Sequence, residues 1–169
     1  PVSAIYGPNG GGKSNVLEAL HILVAKILRP LYITEDNEDR AFLQRRIIVE
    51  PFAFSECKNE PTEMELFFRT SLAEYRYILH IKKDVIVYES LDRVKFETGR
   101  RSALYVRKYN ELILKGAFAR LQVSEGLSDT LTLLSYLGIT YKKNAVVKDV
   151  LGWFEAGVKF LNYGNPVQE

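Results

Sequence analysis

A single cysteine, Cys57, in a chain of 169 residues excludes any intrachain disulfide and any cysteine-rich zinc site. That fits a reducing compartment, so the cytoplasm is the expected location. No run of about 18 consecutive apolar residues is present to cross a bilayer. The opening Pro1-Val2-Ser3-Ala4-Ile5-Tyr6 lacks both the charged and the long apolar regions of a secretion signal, so nothing directs the chain to a membrane. A dominant charge is missing too. With 23 basic and 21 acidic residues the net charge is +2, which argues neither for a dedicated nucleic-acid binder nor against a small basic patch. Internal repeats and low-complexity tracts are absent. His21 and His80 stand far apart with no Cys or Asp at ligand spacing, so neither is expected to hold a metal or to serve a nucleophile.

What the chain has is glycine concentrated in one place. Residues 7–14, Gly7-Pro8-Asn9-Gly10-Gly11-Gly12-Lys13-Ser14, fill the pattern GxxxxGK(S/T) position for position. Wrapping backbone N–H groups round a triphosphate needs dihedral angles and close approaches that a Cβ would block. Lys13 then supplies a point charge for the phosphates, and Ser14 is placed to put its hydroxyl on Mg²⁺. The free N–H groups and positive dipole end of a following helix face the same anion. Context supports the motif: Val2-Ser3-Ala4-Ile5-Tyr6 reads as the end of a buried strand, and residues 14–28 read as a mostly buried helix that Pro30 stops.

The remainder divides by period. Residues 34–40 are polar and aperiodic, hence a loop, whose acids are read as solvated rather than metal-binding. From 47 to 115 the period is two. Met64, Leu66 and Phe68 fall on one face, as do Tyr75, Tyr77, Leu79 and Ile81, with turn chemistry at Lys83-Asp84, Thr98-Gly99 and Tyr109-Asn110. These spacings are too short for crossover helices, so an antiparallel meander of five or six strands is expected. Its aromatics, among them Phe52, Phe54, Phe67, Phe68, Tyr88, Phe96 and Tyr105, are read as core packing rather than base-stacking platforms. Beyond residue 124 the period returns to 3.6. Ser128 or Asp129 is expected to cap a helix running to Leu137 with Gly138 at its C′ position, and Asn144 to cap a last helix carrying Val147, Val150, Leu151, Phe154, Val158 and Leu161.

The expected fold class is therefore α/β with an α+β tendency: part of a P-loop NTPase, with strand and helix at 1–29, an antiparallel β-subdomain at 45–116 and a helical part at 124–163, all within one unit of 1–169. A chain of this size can bury about 70% of its unfolded surface.

Other motifs are weaker. A P-loop ATPase needs an apolar strand ending in Asp, usually followed by Glu, and the nearest counterpart, Val85-Ile86-Val87-Tyr88-Glu89, lacks the Asp and follows a tight turn. Val123-Ser124-Glu125-Gly126 loosely resembles the LSxG signature of ABC-type ATPases, but reads better as a helix-capping loop. Ile81-Lys82-Lys83-Asp84 fails the guanine-reading (N/T)KxD at its first position, which disfavours GTP.

The stretch from Ala4 to Leu20 resembles the opening of the ABC-type ATPases of the SMC, RecF and OLD group, where GxNGxGKSN followed by L-x-E-A-(I/L) is typical; Asn15, Glu18 and Ala19 match. The later order of an acidic loop, Pro51-Phe52-Ala53-Phe54, a Tyr- and Phe-rich meander and Trp153-Phe154 is similar to bacterial AAA family ATPases of the abortive-infection and OLD-like kind. The resemblance implies that Gly7, Pro8, Asn9, Gly10, Gly11, Gly12, Lys13 and Ser14 bind ATP, with Lys13 on the β and γ phosphates in catalysis and Ser14 on Mg²⁺. It implies an ABC-type head whose β-subdomain flanks the nucleotide, a homodimer closed head to head round ATP in the full-length protein, and a nuclease partner or DNA, with no membrane. The chain departs from that group in carrying no full signature motif or Asp-Glu strand. It is accordingly read as the N-terminal part of a longer protein with residues upstream as well, binding ATP by itself with little hydrolysis. Two other readings stay open: a P-loop kinase for a nucleotide or small metabolite, and a non-hydrolysing, nucleotide-gated interaction module.

Overall fold

Alternating side chains in the middle of the chain build the sheet around which the rest is arranged. The computed structural model describes residues 12–32, 60–124 and 127–156. Five strands follow one another in space as in sequence: β1 (Thr62–Arg69), β2 (Ala73–Lys82), β3 (Val85–Lys95), β4 (Arg101–Lys108) and β5 (Glu111–Leu114). Every pairing is antiparallel. The meander expected at 45–116 is thus present over 62–114, and its first part, with Phe52 and Phe54, lies outside the described residues.

Two-residue hairpins set the register. Lys83 and Asp84 both adopt left-handed backbone, φ 49° and 71°, as the right-handed twist of the flanking strands requires. Without glycine that conformation is strained, and the Asp84 carboxylate is held by the Lys26 ammonium. One face of the sheet is buried. Phe68, Tyr75, Tyr77, Leu79, Ile81, Leu91 and Tyr105 are nearly inaccessible, in keeping with the core-packing expectation. Phe67 and Phe96 depart from it. They are 63% and 40% exposed on the other side, where the guanidinium groups of Arg76 and Arg69 lie over their rings.

Helices cover the buried face. α1 (Lys13–Tyr32) does not end before Pro30 as the sequence suggests but runs two residues past it. Proline removes one rung of the hydrogen-bond ladder and crowds the preceding turn. The carbonyl freed in this way is that of Lys26; one residue further on, the Ser135 hydroxyl donates to the Ile27 carbonyl at 2.7 Å and fastens this end of the helix to the rest of the core. Burial along α1 is uneven: residues 14–19 are exposed, Val16 and Leu17 included, whereas Leu23, Val24, Ala25, Ile27 and Leu28 are in the core. The helix is anchored by its C-terminal half.

α2 (Leu133–Thr140) starts later than expected. Its cap is Thr132, whose hydroxyl accepts from the Ser135 N–H, rather than Ser128 or Asp129. Gly138 lies inside this helix, not at its C′ position. The reason is space, since a Cβ there would sit 2.6 Å from Leu151 Cδ1 and 2.7 Å from Leu31 Cδ2. Glycine lets three helices meet. In α3 (Ala145–Ala156) the expected cap is found: Asn144 Oδ1 accepts from the N–H groups of Val146 and Val147 at 3.0 and 3.2 Å. Val158 and Leu161 lie outside the described residues. Helix α3 packs on the sheet through an aromatic cluster, with Phe68 centred 4.6 Å from Trp153 and 5.4 Å from Phe154.

Candidate phosphate-binding site

The glycine-rich motif enters the described structure at its last three residues. Gly12 has φ 80°, a left-handed conformation open to glycine at little cost, and nothing lies within 4 Å of where a Cβ would be. Lys13 is the first residue of α1, and Ser14 is exposed on its first turn. The Gly12 carbonyl accepts from the N–H groups of both Asn15 and Val16, at 3.0 and 3.3 Å. The N–H groups of Lys13 and Ser14 therefore belong to the helix start, where no intrahelical acceptor exists for them. Gly7, Pro8, Asn9, Gly10 and Gly11 lie outside the described residues.

This terminus has the chemistry a nucleotide phosphate needs. It offers a left-handed glycine that leaves space beside the chain, N–H groups with no acceptor inside the helix at the positive end of 20 residues of α1, and a solvent-facing hydroxyl suited to Mg²⁺. The exposed first half of α1 projects this end away from the core that holds its second half. Among the described residues no group of three or more His, Cys, Asp and Glu side chains is arranged to hold a metal.

Glu89 ends the apolar run that most nearly imitates a metal-anchoring strand, and the structure gives it another task. It is fully buried on the inner face of the sheet. Its Oε1 accepts from Tyr77 Oη at 3.0 Å, Tyr105 Oη at 2.7 Å and the Leu134 N–H at 3.1 Å; its Oε2 accepts from the Leu133 N–H at 2.7 Å and stands 3.9 Å from Arg107 Nη1. Glu89 thus caps α2 and ties it to the sheet. Burial raises its pKa above the usual value, while the Leu133, Tyr105 and Leu134 donors and the Arg107 charge act the other way. The same burial, together with the Glu89 charge, raises both phenols. Arg107 is itself enclosed, donating to the carbonyls of Tyr109, Leu131 and Ser128.

Sequence reasoning overlooked this network. The signal was there, because Tyr77, Glu89, Tyr105 and Arg107 all occupy inward positions of alternating strands, where a charge requires a partner.

The signature-like segment also falls elsewhere. Ser124 lies nine residues before α2 begins, and its N–H is engaged by Tyr136 Oη at 3.1 Å. It opens no helix. His80 stands 3.6 Å from Glu63, with its ring 5.1 Å from that of Tyr88 and tilted by 39°.

Residues 2–138 match the family described as "AAA domain, putative AbiEii toxin, Type IV TA system". The chain belongs to this AAA family. It is accordingly a domain of the P-loop ATPase type, the class to which residues 7–14 point. No curated protein and no solved structure matches the chain. Among the described residues of this AAA domain, no helix is long and apolar enough to cross a membrane.

Proposed function

We propose that the chain binds Mg·ATP through Gly7, Pro8, Asn9, Gly10, Gly11, Gly12, Lys13 and Ser14, as the nucleotide-binding part of an ABC-type ATPase of the SMC, RecF and OLD-like kind. One observation carries the proposal. The motif is completed by a left-handed Gly12 directly before a helix that opens with Lys13 and Ser14. Lys13 places its charge on the β and γ phosphates, and Ser14 contributes one ligand to Mg²⁺. Bound magnesium would draw charge from the phosphate oxygens during transfer to water. Abortive infection, or phage defence, is the process we assign to the full-length protein, in line with the toxin–antitoxin wording of the family description. ATP-dependent homodimerisation and work with a nuclease or on DNA belong to the same proposal.

The kinase reading is the less favoured of the alternatives. A P-loop kinase alternates strands and helices, whereas residues 62–114 form five consecutive antiparallel strands. Little hydrolysis is expected from the 169 residues themselves, because Glu89, which closes the apolar run nearest to a metal-anchoring strand among the described residues, is enclosed by its five partners.

Titration with a fluorescent ATP analogue tests the assignment. Lys13→Ala should weaken binding about tenfold or more, the range for losing a hydrogen bond to a charged group. Ser14→Ala should reduce the dependence on Mg²⁺. Equal affinity of parent and Lys13→Ala would remove the assignment, and GTP should compete no better than ATP. Steady-state phosphate release then separates binding from turnover: an ordinary enzymatic rate, abolished by Lys13→Ala, would mean that a complete site lies within these residues.

A further inference from the structure

The far end of α1 borders a cleft that the phosphate chemistry does not use. It lies between the ends of α1 and α2 and one stripe of α3, has a volume of about 270 Å³, and is separated from Lys13 by about 27 Å of helix. Its apolar floor comes from Leu31, Ile139, Val147 and Leu151. Two cations, Lys142 and Lys148, line it, and neither makes an ion pair among the described residues. Among the described residues the one acid lining it, Glu155, already accepts from the Tyr32 hydroxyl.

Gly152 makes this cleft more than a gap between helices. A glycine inside a helix is destabilising relative to alanine, and it is usually explained by a close neighbour. Gly138 has that explanation, but Gly152 does not: nothing lies within 4 Å of its absent Cβ. The space it leaves open is the cleft itself, which Gly152 lines.

We infer that the cleft binds a small amphipathic anion, an aliphatic carboxylate or phosphate monoester free in solution, with its tail on the apolar floor and its head group between Lys142 and Lys148. The volume sits at the small end of ligand pockets, which matches a tail of a few carbons rather than a peptide or a drug-sized molecule. Charge complementarity selects an anion, because among the described residues the cleft's single carboxylate is engaged and its two ammonium groups are in no ion pair.

Sodium octanoate and octylamine hydrochloride are the probes, equal in tail and opposite in charge. With the isotope-labelled chain, octanoate should shift the amide resonances of Gly138 and Gly152 to saturation with a Kd on the order of 1–10 mM, as expected for so few atoms. Octylamine should not. Lys142→Glu combined with Lys148→Glu should weaken octanoate at least about tenfold. Gly152→Leu, a change to a good helix former, should abolish its binding while far-UV circular dichroism stays unchanged. Shifts that never saturate, equal binding of octylamine, or octanoate binding that survives Gly152→Leu would each overturn the inference. Sedimentation with phosphatidylglycerol vesicles in the absence of octanoate binding would overturn it too, by assigning the lysines to a lipid surface.

Discussion

Replacing Glu89 by glutamine looks conservative and should be among the most damaging single changes in this protein. Glutamine keeps the shape and one acceptor, so the hydroxyls of Tyr77 and Tyr105 can still be satisfied. Its amide nitrogen, however, takes the place of Oε2 and brings N–H donors against the Leu133 N–H, now 2.7 Å from an acceptor, and against Arg107. Arg107 keeps three carbonyl partners but loses its counter-charge in a site that is 2% exposed. Breaking one side of a buried pair costs about 3–5 kcal/mol. With a urea slope of about 2 kcal/mol per molar, the unfolding midpoint should fall by about 2 M. The carboxylate need not itself be a large net gain, because burial raises its pKa; the loss comes from donors left without an acceptor.

The raised pKa adds a second signature. Between the ordinary value of 4.5 and the higher folded value, the native state holds more protons than the unfolded chain. Stability contributed by this group is therefore full below about pH 4.5 and is lost as pH rises through the folded pKa. Glu89→Gln should lack that slope. Urea unfolding at several pH values checks both effects, and a midpoint within about 0.5 M of the parent would refute the role given to Glu89.

Two glycines should respond with opposite signs: Gly138→Ala forces a Cβ against Leu151 and Leu31 and should cost about 1–3 kcal/mol, whereas Gly152→Ala, in open space, should gain up to about 1 kcal/mol. Thermal unfolding of the pair measures this, and a shift in the same direction for both would count against the packing argument. Asn144→Ala removes the acceptor for the Val146 and Val147 N–H groups and should cost about 1 kcal/mol, seen as a lower melting temperature. Ser135→Ala, which strips the donor from the Ile27 carbonyl, should cost about 1–3 kcal/mol and speed amide exchange in the last turns of α1; unchanged exchange there would mean that this hydrogen bond does not hold that end of the helix.

Local chemistry sufficed for much of this protein. A motif whose spelling is dictated by phosphate geometry, turns marked by Lys83-Asp84 and Tyr109-Asn110, alternation along β1 and β2, and an Asn144 cap all depend on residues close together in the chain, so they can be read one segment at a time. The departures share one cause, which is that a distant residue outweighed the local rule. Pro30 does not end α1 because that end is packed by distant residues: Leu28 is in the core, Leu31 lies against Gly138 and Ser135 holds the Ile27 carbonyl. Gly138 sits inside α2 because Leu31 and Leu151 leave no room for a side chain. The start of α2 is set by Thr132 together with Glu89, a residue 44 positions before Leu133, so no inspection of residues 124–132 alone could have placed it. Glu89 itself could be taken for a metal-binding acid until its partners were brought round it, because a carboxylate's role follows from which donors surround it, and only folding assembles two tyrosines, a helix terminus and an arginine at one point.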